Sequence, residues 1–111
     1  MNWHHITSAD DIDTIVENSR TTPCLIFKHS TRCPISTMAK SRLEMSWDLE
    51  QGEVEAYFLD LIQYRAVSNH IADVFAVTHQ SPQALLIKDG ICTYDASHLN
   101  IRVDDLRPVA G

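Results

Sequence analysis

Cys33, Pro34, Ile35 and Ser36 place a thiol where a polar loop hands over to a helix with a proline in its first turn. Proline suits that turn because its missing N–H would have had no partner there and its φ is already helical. The cysteine before it becomes the helix N-cap, where unpaired backbone N–H groups and the positive end of the helix dipole favour the thiolate. The chemistry this predicts is a sulfur nucleophile near neutral pH. The N–H groups of residues 35 and 36, together with the Ser36 hydroxyl, are the expected stabilisers of sulfur charge. A second cysteine three positions on would close a disulfide, but Ser36 stands there, so exchange at Cys33 is expected to be of the monothiol type. The competing reading is a small core cysteine that merely caps a helix. The polar flanks Ser30, Thr31, Arg32 and Ser36 favour the functional one, since α/β folds carry their sites on loops at the carboxyl edge of the sheet.

Pro82, between Ser81 and an apolar run, is the second signal. A proline at a strand entrance is ordinarily an edge or turn residue. A cis peptide at that bond would instead bring the Ser81 backbone beside the first turn of the Cys33 helix, where its N–H and C=O could pair with an extended thiol substrate. Cys24 and Cys92 read as strand or core residues with raised pKa and little reactivity. Either could resolve Cys33 only with its Cα within about 7 Å. The six histidines include no tight C-x-x-C or H-x-x-x-H pairing, so no metal site is expected. His29, near the end of the strand leading to Cys33, reads as a half-buried structural residue able to tune the thiol electrostatically.

The elements that must position these groups follow from periodicity. Trp3 to Ile6 is a short strand, and Ser8 with Asp11 makes a capping-box start for a helix that buries Ile12, Ile15 and Val16. Cys24 to Ser30 is a mostly apolar run suited to a central strand, and Ile35 to Trp47 repeats apolar residues at helical spacing. Ala56 to Ile62 reads as another buried strand, after which Val67, Ile71, Val74 and Phe75 mark a helix. Ala84 to Ile87 and Ile91 to Tyr94 form a hairpin with Asp89-Gly90 as its turn, and a last helix is expected from about Asn100 to Leu106. The order β-α-β-α-β-α-β-β-α predicts an α/β domain with helices on both faces of a sheet that the terminal hairpin makes mixed.

With 111 residues and 44% hydrophobic content, the chain is expected to form one domain over residues 1–111. A formal charge of −6 without any Lys/Arg run argues against nucleic acid or an anionic membrane as partner. No signal-peptide pattern or membrane-length apolar run appears, and three cysteines without a disulfide-framework spacing suit a reducing compartment, so a cytoplasmic monomer is expected.

The element order, the cysteine at the start of the second helix and Ser81-Pro82 before the hairpin together resemble a thioredoxin-like fold. More narrowly, Thr31 to Ser36 (TRCPIS) and His79 to Gln83 (HQSPQ) resemble the YtxJ-type monothiol bacilliredoxins, whose motif reads T-C-P-I-S. Arg32 stands between Thr31 and Cys33, a position the motif lacks. The resemblance implies that Cys33 is the attacking thiol, Ser36 the replacement for a resolving cysteine and Pro82 a cis-proline. Thr31, Arg32, Pro34, Ile35 and Ser81 would then contact substrate. The implied task is removal of bacillithiol from protein mixed disulfides, with bacillithiol as co-substrate and no bound cofactor. A glutathione-using relative would be expected to carry a Gly-Gly-x-Asp-like loop before its last helix; Tyr94 to Asn100 has no glycine, although Ser97 and Asn100 near that helix start could receive a carboxylate. Two alternatives predict the same fold: a binding module with an inert Cys33, and a dithiol reductase that uses Cys24 or Cys92.

Overall fold

The computed structural model describes residues 2–49 and 52–106. Five strands, β1 (Trp3–His5), β2 (Cys24–His29), β3 (Glu55–Asp60), β4 (Gln83–Lys88) and β5 (Ile91–Ser97), form one sheet in the order β1-β3-β2-β4-β5. β1 and β2 run parallel to β3, whereas β4 is antiparallel to both β2 and β5. The helices are α1 (Ala9–Asn18), α2 (Pro34–Ser46), α3 (Arg65–Phe75) and a short α4 (Val103–Leu106).

β2 has strands on both edges and every one of its six residues is buried. Its side chains alternate between two cores, as the pleat requires. Cys24 and Ile26 join Ile12, Ile15, Ile71 and Phe75 on the side of α1 and α3. Leu25 and Phe27 join Ala39, Leu43, Val103 and Leu106 on the side of α2 and α4. The parallel pairing His29↔Asp60 and the antiparallel pairing Lys28↔Gln83 bring the end of β2, the end of β3 and the start of β4 to one edge of the sheet. Three loops therefore meet there: 30–33, 61–64 and 76–82.

Local chemistry sets the boundaries. The Asp11 carboxylate accepts the N–H groups of Thr7 (2.8 Å) and Ser8 (3.2 Å) and so fixes the start of α1. In the β4–β5 turn Asp89 and Gly90 both have positive φ, +52° and +76°, as a two-residue hairpin turn with the sheet's own twist demands. The turn docks on the end of α1, where Ser19 accepts the Gly90 N–H through its hydroxyl (2.8 Å) and the Asp89 N–H through its carbonyl (2.9 Å).

Three sequence boundaries are corrected. β3 stops at Asp60 instead of running to Ile62, because the Asp60 carboxylate accepts the Ile62 and Gln63 N–H groups and turns the chain. β5 continues past Tyr94 to Ser97, following β4 across a bulge that leaves Thr93 unpaired. The single last helix is instead a 3₁₀ turn at His98–Asn100 and the four-residue α4, separated by Ile101 in an extended conformation. Replacing Asp11 with Ala is expected to destabilise the protein by about 1 kcal/mol, read as a lower urea midpoint at unchanged slope.

Candidate active site

Cys33 is the N-cap of α2, in an extended conformation with φ −108° and ψ 114°, and Pro34 occupies the first turn. The Cys33 N–H bonds the Ser30 carbonyl (3.2 Å), closing a turn at the end of β2, and its own carbonyl accepts the first helical bond from Thr37 (3.1 Å). The N–H groups of Ile35 and Ser36 precede that bond and have no acceptor within the helix, so they are the backbone donors directed past the helix start. Cys33 is partly exposed and unbonded, and Thr31, Arg32, Pro34 and Ile35 around it are exposed. Ile35 and Met38 present apolar side chains to solvent in the first turn and a half of α2. The expected residues from 31 to 35 thus surround one accessible sulfur.

Ser36 behaves differently from the sequence expectation. Its side chain is 0% exposed, and its hydroxyl accepts the Ser30 N–H at 3.0 Å while bonding His29 Nδ1 at 2.8 Å. The hydroxyl ties the strand end to the helix start. Ser36 thereby holds the turn that carries Cys33. His29 is buried against Phe27 and Phe58, with ring centroids 6.0 and 5.4 Å away. Burial, helped by the Lys40 charge, pushes its pKa below the ordinary imidazole value.

The other two thiols lie at the opposite end of the sheet. Cys24 starts β2 and pairs with Ile87, which in turn pairs with Cys92. Five strand steps separate Cys24 from His29, roughly 16 Å, so neither Cys24 nor Cys92 approaches Cys33 within the ~7 Å that a disulfide requires. Two strand spacings, roughly 9.5 Å, separate Cys24 from Cys92 as well. The dithiol alternative is therefore overturned by the register. Burial, with a contribution from Glu55, pushes the Cys24 thiol up to about 11, and burial with Asp95 raises that of Cys92. Both shifts favour the thiol over the thiolate.

The Ser81–Pro82 peptide is cis. Pro82 is buried and Ser81 half-buried, and the register Lys28↔Gln83 sets them at the sheet edge from which the Cys33 loop departs. Ser97 ends β5 and is the N-cap of the 3₁₀ turn that Asn100 closes, so one short turn stands where the start of a longer last helix is expected.

One group of residues escaped sequence reasoning. Lys28, near the end of the central strand β2, is 0% exposed and donates to the Ser68 carbonyl of α3 (3.2 Å) while bonding His79 Nδ1 (3.2 Å). Gln83, also fully buried, donates through its side-chain amide to the Thr78 carbonyl (3.0 Å) and accepts the Gln80 N–H (3.4 Å). The available signal was a lysine inside an otherwise apolar strand, on the α1/α3 side by alternation. Burial lowers its pKa to about 8. Among the described residues, no three of His, Cys, Asp and Glu converge as a metal site, and no helix is long and apolar enough to cross a membrane.

This arrangement, a lone accessible thiol at a helix N-cap with a cis X-Pro bond at the same sheet edge, is that of a thioredoxin-fold protein acting through thiol redox chemistry. Solved structures agree on the fold. One thioredoxin-fold protein assigned as an oxidoreductase is 29% identical, with a TM-score of 0.78 over 92% of this chain and 88% of its own. Fasciola hepatica thioredoxin superposes with a TM-score of 0.69 at 19% identity over 86% of each chain. Thioredoxin f2 of Chlamydomonas reinhardtii gives the same score at 12% identity over 95% of this chain and 90% of its own. The chain belongs to the monothiol bacilliredoxin family BrxC, which it matches over residues 4–106.

Two measurements probe the site's supports. Ser36→Ala leaves the Ser30 N–H without its partner and is expected to cost about 1–3 kcal/mol of stability by urea unfolding. For Lys28, the folded pKa of about 8 lies below the unfolded value of 10.5, so between these pH values the unfolded chain binds more protons and stability rises with pH. Wild type is therefore expected to gain on Lys28→Met, on the order of 2 kcal/mol from pH 8 to 10.5 after allowance for residual solvation. Parallel stability curves for the two proteins would contradict this.

Proposed function

We propose that the protein removes bacillithiol from mixed disulfides on other proteins, with Cys33 as the attacking thiol. The observation that carries this reading is the isolation of the Cys33 sulfur: accessible at a helix N-cap, and separated from both other thiols by the length of a strand. Membership of the monothiol bacilliredoxin family supports the same chemistry.

The Cys33 thiolate attacks the bacillithiol sulfur of a protein–S–S–bacillithiol disulfide. The protein sulfur leaves as a thiolate and takes up a proton, so the protein thiol is reduced while Cys33 is oxidised to a Cys33–S–S–bacillithiol adduct. The N–H groups of Ile35 and Ser36 stabilise charge on the Cys33 sulfur before attack and on its return. A second small thiol, as thiolate, then attacks the bacillithiol sulfur of the adduct, freeing Cys33 and leaving a small-molecule disulfide. Thr31, Arg32, Pro34 and Ile35 flank the incoming disulfide, and Ser81 pairs with its backbone beside Pro82. The reaction suits a reducing compartment such as the cytoplasm, and one chain suffices for it.

Intact-mass spectrometry after incubation with bacillithiol disulfide, and separately with glutathione disulfide, tests the proposal. The expected result is a single adduct on Cys33, formed faster with bacillithiol disulfide and absent from Cys33→Ser. Faster formation with glutathione disulfide would replace bacillithiol as co-substrate. No adduct on Cys33 with either disulfide would make the protein a binding module, and an adduct on Cys24 or Cys92 would refute the assignment of the nucleophile.

A further inference from the structure

Lys28 is an expensive residue to keep. A buried cation near the end of the central strand loses its hydration, and its two partners, a backbone carbonyl and an imidazole nitrogen, carry no negative charge to offset the loss. Desolvation alone accounts for the direction of its pKa. An apolar side chain in its place would join the core that Cys24 and Ile26 already face. What the ammonium does hold is the surface segment between α3 and β4, which carries the cis Ser81–Pro82 bond.

That segment is pinned from below by two buried polar side chains reaching it from neighbouring strands. Lys28 of β2 takes His79 through Nδ1, and Gln83 of β4 takes Thr78 and Gln80 through their backbones. Ser68 supports the same point, its carbonyl receiving the ammonium while its hydroxyl lies 3.4 Å from His79 Nδ1. Thr78, His79 and Gln80 are themselves exposed, so the surface they form depends on these anchors and not on packing of their own. Because an ammonium can only donate, His79 Nδ1 must accept, which leaves the ring proton on Nε2. The lysine thus fixes both the place and the tautomer of the histidine.

We infer that Lys28 is a positioning residue for substrate binding: through His79 it holds residues 78–82 in the arrangement that receives the mixed disulfide, with the Nε2–H of His79 offered to the substrate's acceptor groups. This rests on the redox reading of Cys33 proposed above. It assigns to Lys28 and His79 a part in substrate affinity and none in the reactivity of the sulfur.

The test is steady-state reduction of a cysteinyl peptide carrying bacillithiol in a mixed disulfide, with bacillithiol as the second thiol. It runs alongside the rate of Cys33 alkylation by iodoacetamide, a reagent too small to need the segment. Lys28→Met and His79→Leu are each expected to raise KM about tenfold with kcat and the alkylation rate changed less than about twofold. His79→Asn, whose side-chain oxygen can take the place of Nδ1 as acceptor for Lys28 and whose amide still donates, is expected to recover most of the loss. His79 is exposed, so its variants keep the question open to experiment even if Lys28→Met fails to fold. A KM unchanged in His79→Leu, or alkylation slowed as much as turnover, would overturn the inference while leaving Cys33 exchange intact. Absence of turnover by the wild type would overturn the redox reading, and this inference with it.

Discussion

Complete burial of β2 is the constraint on which the other features depend. Hydrogen bonded to β3 on one edge and β4 on the other, and covered by helices on both faces, the strand gives no side chain access to water. An apolar residue on it strengthens one of the two cores; a polar residue must find a partner inside the protein. Lys28 and His29 are the two that do, and they do it on opposite faces. His29 bonds Ser36 at the start of α2, whereas Lys28 reaches α3 and the segment before β4. The last two residues of one strand therefore fix the two loops that meet at the carboxyl edge, one bearing Cys33 and the other Pro82.

This explains why an accessible thiol can still be well placed. Loops at a sheet edge are ordinarily the most mobile part of an α/β domain. Here the 30–33 turn is closed by the bond from Cys33 N–H to the Ser30 carbonyl and by the buried bond from Ser30 N–H to the Ser36 hydroxyl. The helix that follows begins with a residue whose φ is fixed, so the orientation of the Cys33 backbone is determined from both directions. Only the sulfur and its exposed flank are left to solvent.

Much of this was legible in the sequence because local rules suffice for it. The capping box at Ser8 and Asp11, the Asp89-Gly90 turn and the proline after Cys33 each act within a few residues, and the alternation of strands and helices limits the topologies they can build. The direction of the Ser36 side chain was not legible, because a serine in a first helical turn fits a surface cap as well as a buried strut. Lys28 was hidden for a different reason. Its partners lie 40 and 51 residues away in sequence, and a single charge in an apolar run looks like a strand end whose side chain reaches water. Only the register, with Gln83 beside it and α3 above it, shows that no such route exists. The division of the last helix also depended on tertiary packing: Ile101, Val103 and Leu106 are all buried, and an uninterrupted helix would not point each of them at the α2 face.

The same register decides what kind of disulfide Cys33 can form. In-register pairing of Cys24, Ile87 and Cys92 groups the two unreactive thiols at the end of the sheet remote from the helix start. Moving Cys24 to Cys33 would mean unpairing the central strand β2, and moving Cys92 would mean unpairing the edge strand β5 over most of its length. Ser36, the residue nearest in sequence that could have supplied a sulfur, is committed to holding the turn. A disulfide at Cys33 can therefore only be intermolecular, and its resolution has to come from a second molecule arriving at the same edge. Lone-thiol exchange is thus set by strand register and one buried serine before any property of the sulfur itself is considered.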